Sequence, residues 1–166
     1  MNKKQKENRG FTIIEALVVM VITAVVLTGS IIKQREAVQR KRAERAALQI
    51  KQLLEQTKDF ALTGEMINAT TVPEAFRFRI TGGGSNYNIQ SVIGGSATNY
   101  RSGSIDYSGD VSIQNALISF TVPNGEREAG CTPASCEINI CGDGAGCADA
   151  SLKYTVSVTE NSIGFK

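Results

Sequence analysis

The chain contains no histidine, which removes histidine-based catalytic triads and histidine-ligated metal centres from consideration. It also lacks a G-x-S-x-G elbow, a P-loop and any paired-carboxylate motif, and Gly82-Gly83-Gly84 has no lysine and no strand-to-helix context that would cradle a phosphate. The residues therefore point away from an enzyme, and from any cofactor or resident metal. Proline is scarce, with three in the chain and none before Pro73, so nothing interrupts a helix in the first seventy positions. Cysteine is absent until Cys131. Charge is nearly absent from Phe11 to Ile32, a stretch of 22 residues whose only ionisable side chain is Glu15.

That stretch is the most informative part of the chain. As a helix, 22 residues cover roughly 33 Å, enough to cross a bilayer. A carboxylate inside hydrocarbon costs about 3 kcal/mol on the insertion scale and is expected to have a partner or a function. A secretory signal peptide would show a small-x-small cleavage site and no acidic residue in its apolar region. A plain signal anchor would leave Glu15 without a purpose.

Gly10-Phe11-Thr12-Ile13-Ile14-Glu15, preceded by Lys3, Lys4, Lys6 and Arg9, resembles the class III signal of type IV prepilins and type II secretion pseudopilins. The resemblance implies cleavage between Gly10 and Phe11 by prepilin peptidase, a membrane aspartyl protease, and N-methylation of Phe11. It also implies that Glu15 attracts the terminal ammonium of a neighbouring subunit during assembly, which would supply the partner that burial requires. The implied partners are other pilin or pseudopilin subunits, prepilin peptidase, an inner-membrane assembly platform, and the membrane before assembly. Major pilins usually carry a proline in the protruding half of the helix; here Gly29 is the only residue of low helix propensity in Thr28-Gly29-Ser30-Ile31-Ile32. Gly29 is equally readable as a point of bending and as a site of close helix packing.

The net charge of +2 hides an asymmetry. Between residues 33 and 59 eight basic side chains face four acidic ones, whereas beyond residue 63 six basic side chains face ten acidic ones. A positive-inside count would put 33–45 in the cytoplasm, against the topology implied by the processing motif, but long domains translocate largely regardless of charge. Arg40-Lys41-Arg42 is read as a solvated or intersubunit helix face, with anionic headgroups and nucleic acid as less favoured partners.

Ala43, Ala46, Ala47, Ile50, Leu53, Leu54, Thr57, Phe60 and Ala61 recur at three- and four-residue steps with polar residues between them, predicting an amphipathic helix. Gly64 supplies its stop. A helix from Phe11 to about Thr63 would be ~80 Å long, with a protruding N-terminal half. The remainder reads as β structure, with strands expected at 76–80, 87–93, 104–107, 111–113, 116–122, 137–140, 152–159 and 162–165 and turns at Gly82-Gly83-Gly84, Gly94-Gly95, Pro123-Asn124-Gly125 and Glu160-Asn161. The expected fold is α+β: a long N-terminal helix packed on a C-terminal antiparallel sheet or small β-sandwich head, pilin-like. The divisions are a leader at 1–10, a transmembrane and polymerisation half at 11–32, an amphipathic half at 33–63, and a head at 64–166.

Ile118-Ser119-Phe120-Thr121-Val122-Pro123-Asn124-Gly125 and the closing Tyr154-Thr155-Val156-Ser157-Val158 resemble the hairpin regions of the minor pseudopilin H and minor pilin T group. DNA-binding members tend to end in Gly-Arg-x-Arg. Here Asn161-Ser162-Ile163-Gly164-Phe165-Lys166 has no arginine, which weakens that inference.

Cys131, Cys136, Cys141 and Cys147 cluster in a glycine-rich region and in an extracytoplasmic head are most simply two disulfides. Cys136 and Cys141 bracket an expected strand and cannot easily bond to each other. Local pairing of Cys131 with Cys136 and Cys141 with Cys147 is favoured, and a crossed or nested arrangement stays open. The C-x4-C spacings lack the knuckles of a four-thiolate zinc site, and Asp143, Asp149 and the intervening glycines do not form a calcium-loop pattern. The functional expectation is a structural subunit, a minor one, of a type IV pilus or type II secretion pseudopilus. It begins as a single-pass precursor in the cytoplasmic membrane with its head outside, and ends in a periplasmic or extracellular filament. The alternative is a filament-tip adhesin or DNA-uptake pilin whose head is a binding module.

Overall fold

The computed structural model describes residues 12–67, 70–81, 85–105, 111–143, 147–148, 150–160 and 162–166. Among the described residues one long helix, α1 (Ile13–Thr63), precedes eight strands: β1 (Ala75–Thr81), β2 (Asn86–Ile93), β3 (Ser96–Ser104), β4 (Ser112–Ile113), β5 (Ala116–Thr121), β6 (Glu137–Cys141), β7 (Lys153–Val158) and β8 (Ile163–Phe165). The architecture is α+β, a long N-terminal helix followed by antiparallel sheets of pilin-like type. The chain divides into two compact units, residues 1–37 and 38–166.

In the first unit the large apolar side chains from Ile13 to Leu27 are uncovered, ranging from Ile13 at 81% exposure to Val18 at 52%. The segment is long and apolar enough to cross a membrane, with a mean hydropathy of 2.3. Its hydroxyls are satisfied within the helix. Thr23 Oγ1 donates to the Val19 carbonyl at 2.9 Å and Thr28 Oγ1 to the Ala24 carbonyl at 2.8 Å, so neither hydroxyl needs water in an apolar surrounding.

In the second unit α1 becomes one-sided. Ala43, Ala46, Ala47, Ile50, Leu54, Thr57 and Ala61 are buried, while Lys41, Glu44, Arg45, Leu48 and Gln52 are exposed. The alanines let β structure approach the helix closely. A Cβ added at Gly142 would stand 3.0 Å from the Gln39 carbonyl oxygen. The helix ends in a Schellman motif: Gly64 takes φ +61°, its N–H donates to the Ala61 carbonyl at 3.4 Å, and the Glu65 N–H reaches the Phe60 carbonyl at 3.2 Å.

The strands form two four-stranded antiparallel sheets, ordered β3-β2-β1-β5 and β4-β6-β7-β8. β1 alternates cleanly because Phe76, Phe78 and Ile80 point inward while Arg77 and Arg79 point outward. Phe76 stands opposite Phe120 and Phe78 opposite both Ile118 and Ile89. In the second sheet Ile138 pairs with Val156 and Ile140 with Tyr154. Both sheets and residues 43–61 of α1 contribute to a single hydrophobic core.

One strand departs from the sequence expectation. Of the strand expected at 104–107 only Ser104 is extended, as the last residue of β3, which spans Ser96–Ser104 and was not expected, and Ile105 lies beyond its end. Ser-Ala-Thr-Asn-Tyr-Arg-Ser-Gly-Ser has no apolar alternation, and most of it is exposed. It is strand because Gly94 and Gly95, at φ +57° and +75°, make a tight turn that lays it along β2. Tyr100 anchors it, with its ring 5.4 Å from Phe76 and 5.5 Å from Phe60. Other expected ends moved by a residue: β5 stops at Thr121 and β8 begins at Ile163. Gly82-Gly83-Gly84, Asp106, Tyr107 and Asn161 lie outside the described residues.

Candidate functional site

Gly10 and Phe11 lie outside the described residues, and the described chain opens at Thr12. Thr12 is the N-cap of α1, since its carbonyl accepts the Ala16 N–H at 3.2 Å, the first bond of the helix. Its Oγ1 accepts the Glu15 N–H at 3.3 Å, and Glu15 Oε2 accepts the Thr12 N–H at 3.1 Å. Thr12 Oγ1 also lies 3.1 Å from the same carboxylate oxygen, to which it donates. Thr12 and Glu15 thus make a reciprocal capping box, which satisfies two of the four N–H groups that a helix start leaves open. The carboxylate also sits at the positive end of the helix dipole.

Glu15 therefore has a local role that a reading of its charge alone missed. The signal was present as Thr-x-x-Glu immediately ahead of an apolar run. Beyond it, Ile13, Ile14, Leu17, Val18, Val19, Met20, Val21 and Ile22 are all exposed large hydrophobics. Gly29 lies within continuous helix.

The cysteines form two separate staples. Cys131 is joined to Cys136, with Cα atoms 5.4 Å apart, and Cys141 to Cys147, with Cα atoms 5.0 Å apart; both spans suit disulfide geometry. The first closes a loop whose strand-like approach covers the free edge of β5. Thr132 exchanges backbone hydrogen bonds with Leu117 at 2.7 and 2.9 Å, and the Glu128 N–H reaches the Ser119 carbonyl at 2.9 Å. Arg127, which sequence reasoning did not single out, lays its Nη1 3.0 Å from Cys131 Sγ and 2.9 Å from Cys136 Sγ. The second staple follows β6, where Asp143 Oδ1 accepts the Cys147 N–H at 3.3 Å. Gly144-Ala145-Gly146 and Asp149 lie outside the described residues, and no cluster of metal-ligating side chains occurs among the described ones.

In the cationic cluster, Arg40 Nε donates to Tyr154 Oη at 3.2 Å, an interaction that raises the arginine further above its ordinary range. Arg42 is half-buried, and Lys41 is exposed. The Tyr154 ring stacks on Phe165 at 5.6 Å and 7°. On the other sheet Tyr100 Oη donates to Glu65 Oε1 at 2.5 Å, and this bond pushes the phenol above its ordinary value of 10.0.

Residues 5–31 match the family model described as the prokaryotic N-terminal methylation motif. The chain carries a prokaryotic N-terminal methylation motif, which supports the resemblance to type IV pilins and pseudopilins. That segment supports a structural subunit of a pilin or pseudopilin filament, and with the uncovered apolar helix it fits a membrane-anchored precursor. The match ends at residue 31, so the two sheets lie outside it. No curated protein and no solved structure matches the chain significantly.

Proposed function

We propose that this chain is a minor structural subunit of a type IV pilus or type II secretion pseudopilus, made as a membrane-anchored precursor and polymerised through α1. The observation that carries the reading is the methylation motif at residues 5–31, continuous with a helix whose apolar side chains are uncovered through Leu27. Prepilin peptidase cuts between Gly10 and Phe11, and the new amine of Phe11 is methylated. In the precursor, Thr12 gives the Glu15 carboxylate hydrogen-bond donors of its own, which lowers the cost of holding it at the edge of hydrocarbon. In the filament the ammonium of a neighbouring Phe11 becomes its counter-charge, and Ile13 to Ile32 supply apolar contact between subunits.

The divisions that follow are a leader at 1–10, a polymerisation half at 11–32, an amphipathic half at 33–63 and a β-rich head at 64–166, with the two disulfides formed outside the cytoplasm. Intact mass of the membrane-extracted protein tests the reading. The expected species starts at N-methylated Phe11 and gains the mass of four hydrogens on reduction. A chain still bearing its leader, in a host with active prepilin peptidase, overturns it.

A further inference from the structure

The outward face of α1 within the second unit carries Val38, Lys41, Arg45 and Leu48, spaced 3, 4 and 3 residues apart so that they lie in one stripe. All four are exposed, the two large apolar ones at 46% and 47%. The helix core stripe of Ala43, Ala46, Ala47 and Ile50 lies on the opposite side. Lys41 and Arg45 make no ion pair among the described residues. Glu44 acts electrostatically on Arg40, and Glu55 pairs with Lys51 at 3.7 Å. A stripe of two aliphatic side chains enclosing two unpaired cations is poorly suited to water and well suited to an acidic protein surface.

The head supplies such a surface. Glu126, Glu128, Glu137 and Glu160 are exposed and gather around the loop closed by Cys131 and Cys136. Glu126 and Glu128 flank Arg127, Glu137 follows Cys136, and Glu160 borders the same hollow as Arg127 and Cys136. The cation in their midst is turned inward, because the guanidinium of Arg127 is directed onto the two sulfurs. Glu128 has a partner in Arg77 at 3.9 Å, while Glu126, Glu137 and Glu160 have no cationic partner among the described residues.

We propose that the Val38–Lys41–Arg45–Leu48 stripe is an intersubunit docking surface, and that its occupant is the acidic pole of a second copy of this chain. The inference rests on the filament-subunit reading and adds to it which faces meet. Charge complementarity selects the partner: the pole is acidic, the stripe is cationic, and the same sequence carries both. A contact between two different patches of one chain is heterologous, which propagates along a filament instead of closing a dimer.

The test is a charge swap in the full-length chain expressed in its host, read as the amount of this chain recovered in sheared filaments. Lys41→Glu with Arg45→Glu, and separately Glu126→Lys with Glu160→Lys, are each expected to lower incorporation roughly tenfold. The chain carrying all four substitutions is expected to recover it. Carbodiimide treatment of wild-type filaments, which joins an ammonium to a carboxylate as an amide with loss of water to the reagent, is expected to yield a covalent dimer linking Lys41 to Glu126, Glu137 or Glu160. All substituted positions are exposed, and intact mass of each full-length variant, with and without reduction, verifies that both disulfides form.

Failure of the four-fold variant to recover while both double variants are impaired overturns the second copy as occupant. Unimpaired incorporation of Lys41→Glu with Arg45→Glu, accompanied by loss of binding to phosphatidylglycerol vesicles, assigns the stripe to anionic headgroups and likewise overturns the proposal. These results leave the subunit reading intact, since cleavage after Gly10 is measured on the same material. An uncut precursor overturns the subunit reading and the docking surface together.

Discussion

Thr12 and Glu15 exchange hydrogen bonds across the first turn of α1, with the Thr12 N–H donating to Glu15 Oε2 at 3.1 Å and the Glu15 N–H donating to Thr12 Oγ1 at 3.3 Å. The carboxylate thereby serves the helix that carries it, in addition to the role proposed for it towards a neighbouring subunit. These two roles have different chemical requirements: a capping box accepts Gln in place of Glu, whereas attraction of an ammonium needs the charge.

Substitutions at the box separate those roles. Glu15→Gln is expected to preserve the helix start and impair incorporation, and Glu15→Ala to impair both. Thr12→Val keeps the charge and removes the hydroxyl, at about 1 kcal/mol of local helix stability. Amide exchange at residues 13–16 in detergent micelles reads the helix start, and subunit yield in sheared filaments reads assembly. Normal filament yield for Glu15→Gln would show that the charge is not what assembly uses.

The two staples should be separable in the same way. Each closes a short loop, with partners 5 and 6 residues apart in sequence, and removing either is expected to cost about 2 kcal/mol in the chain-entropy picture. Loss of Cys131–Cys136 should cost more than loss of Cys141–Cys147, because it also releases the segment that hydrogen-bonds to the edge of β5 and uncovers Arg127. Denaturant midpoints of the two double-serine variants check the order, and peptide mapping without reduction checks the pairing. A peptide joining Cys131 to Cys141 or Cys147 would refute it.

Tyr100 links the outermost strand of the first sheet to the loop after α1 through its bond to Glu65. The folded chain raises this phenol above 10.0, so the protonated form is the one that folding favours. Its contribution to stability is full below pH 10 and is lost as pH rises through the raised value. Absorbance titration near 295 nm should show one tyrosine ionising later than the rest, and Tyr100→Phe should remove that late step. Titration of all tyrosines together near pH 10 would contradict the assignment.

The helix and the first strand were legible because their patterns are local. An apolar run of membrane-spanning length and then a 3.6-residue period from Ala43 to Ala61, with no proline in either, dictate α1, and Phe76-Arg77-Phe78-Arg79-Ile80 dictates β1. β3 was not legible, since it takes its extended form from β2 and a two-glycine turn, with Tyr100 as its one aromatic anchor. The partition into two sheets depends on β1 pairing with β5 across forty residues of chain, a relation that no local window contains. At the N-terminus the residue pattern revealed Glu15 as unusual, and attention to its charge hid the commoner reason for a Thr-x-x-Glu spacing. Arg127 left no trace in the sequence because its role arises only once Cys131 and Cys136 are joined.

Gly142 provides a test of how closely head and helix meet within the second unit. A Cβ there would lie 3.0 Å from the Gln39 carbonyl oxygen and 3.4 Å from Ala43 Cβ. The nearer contact is main chain in mid-helix, which cannot step aside as a flexible side chain would. Gly142→Ala is therefore expected to destabilise the head by about 1 to 3 kcal/mol through overpacking, seen as a lower Tm or denaturant midpoint. Ala43→Gly in the same chain relieves only the 3.4 Å contact and itself weakens the helix by about 1 kcal/mol, so the double variant should be less stable than either single one. Recovery of stability in the double variant would show that Ala43, and not the Gln39 backbone, sets the approach of β6 and its following turn to α1.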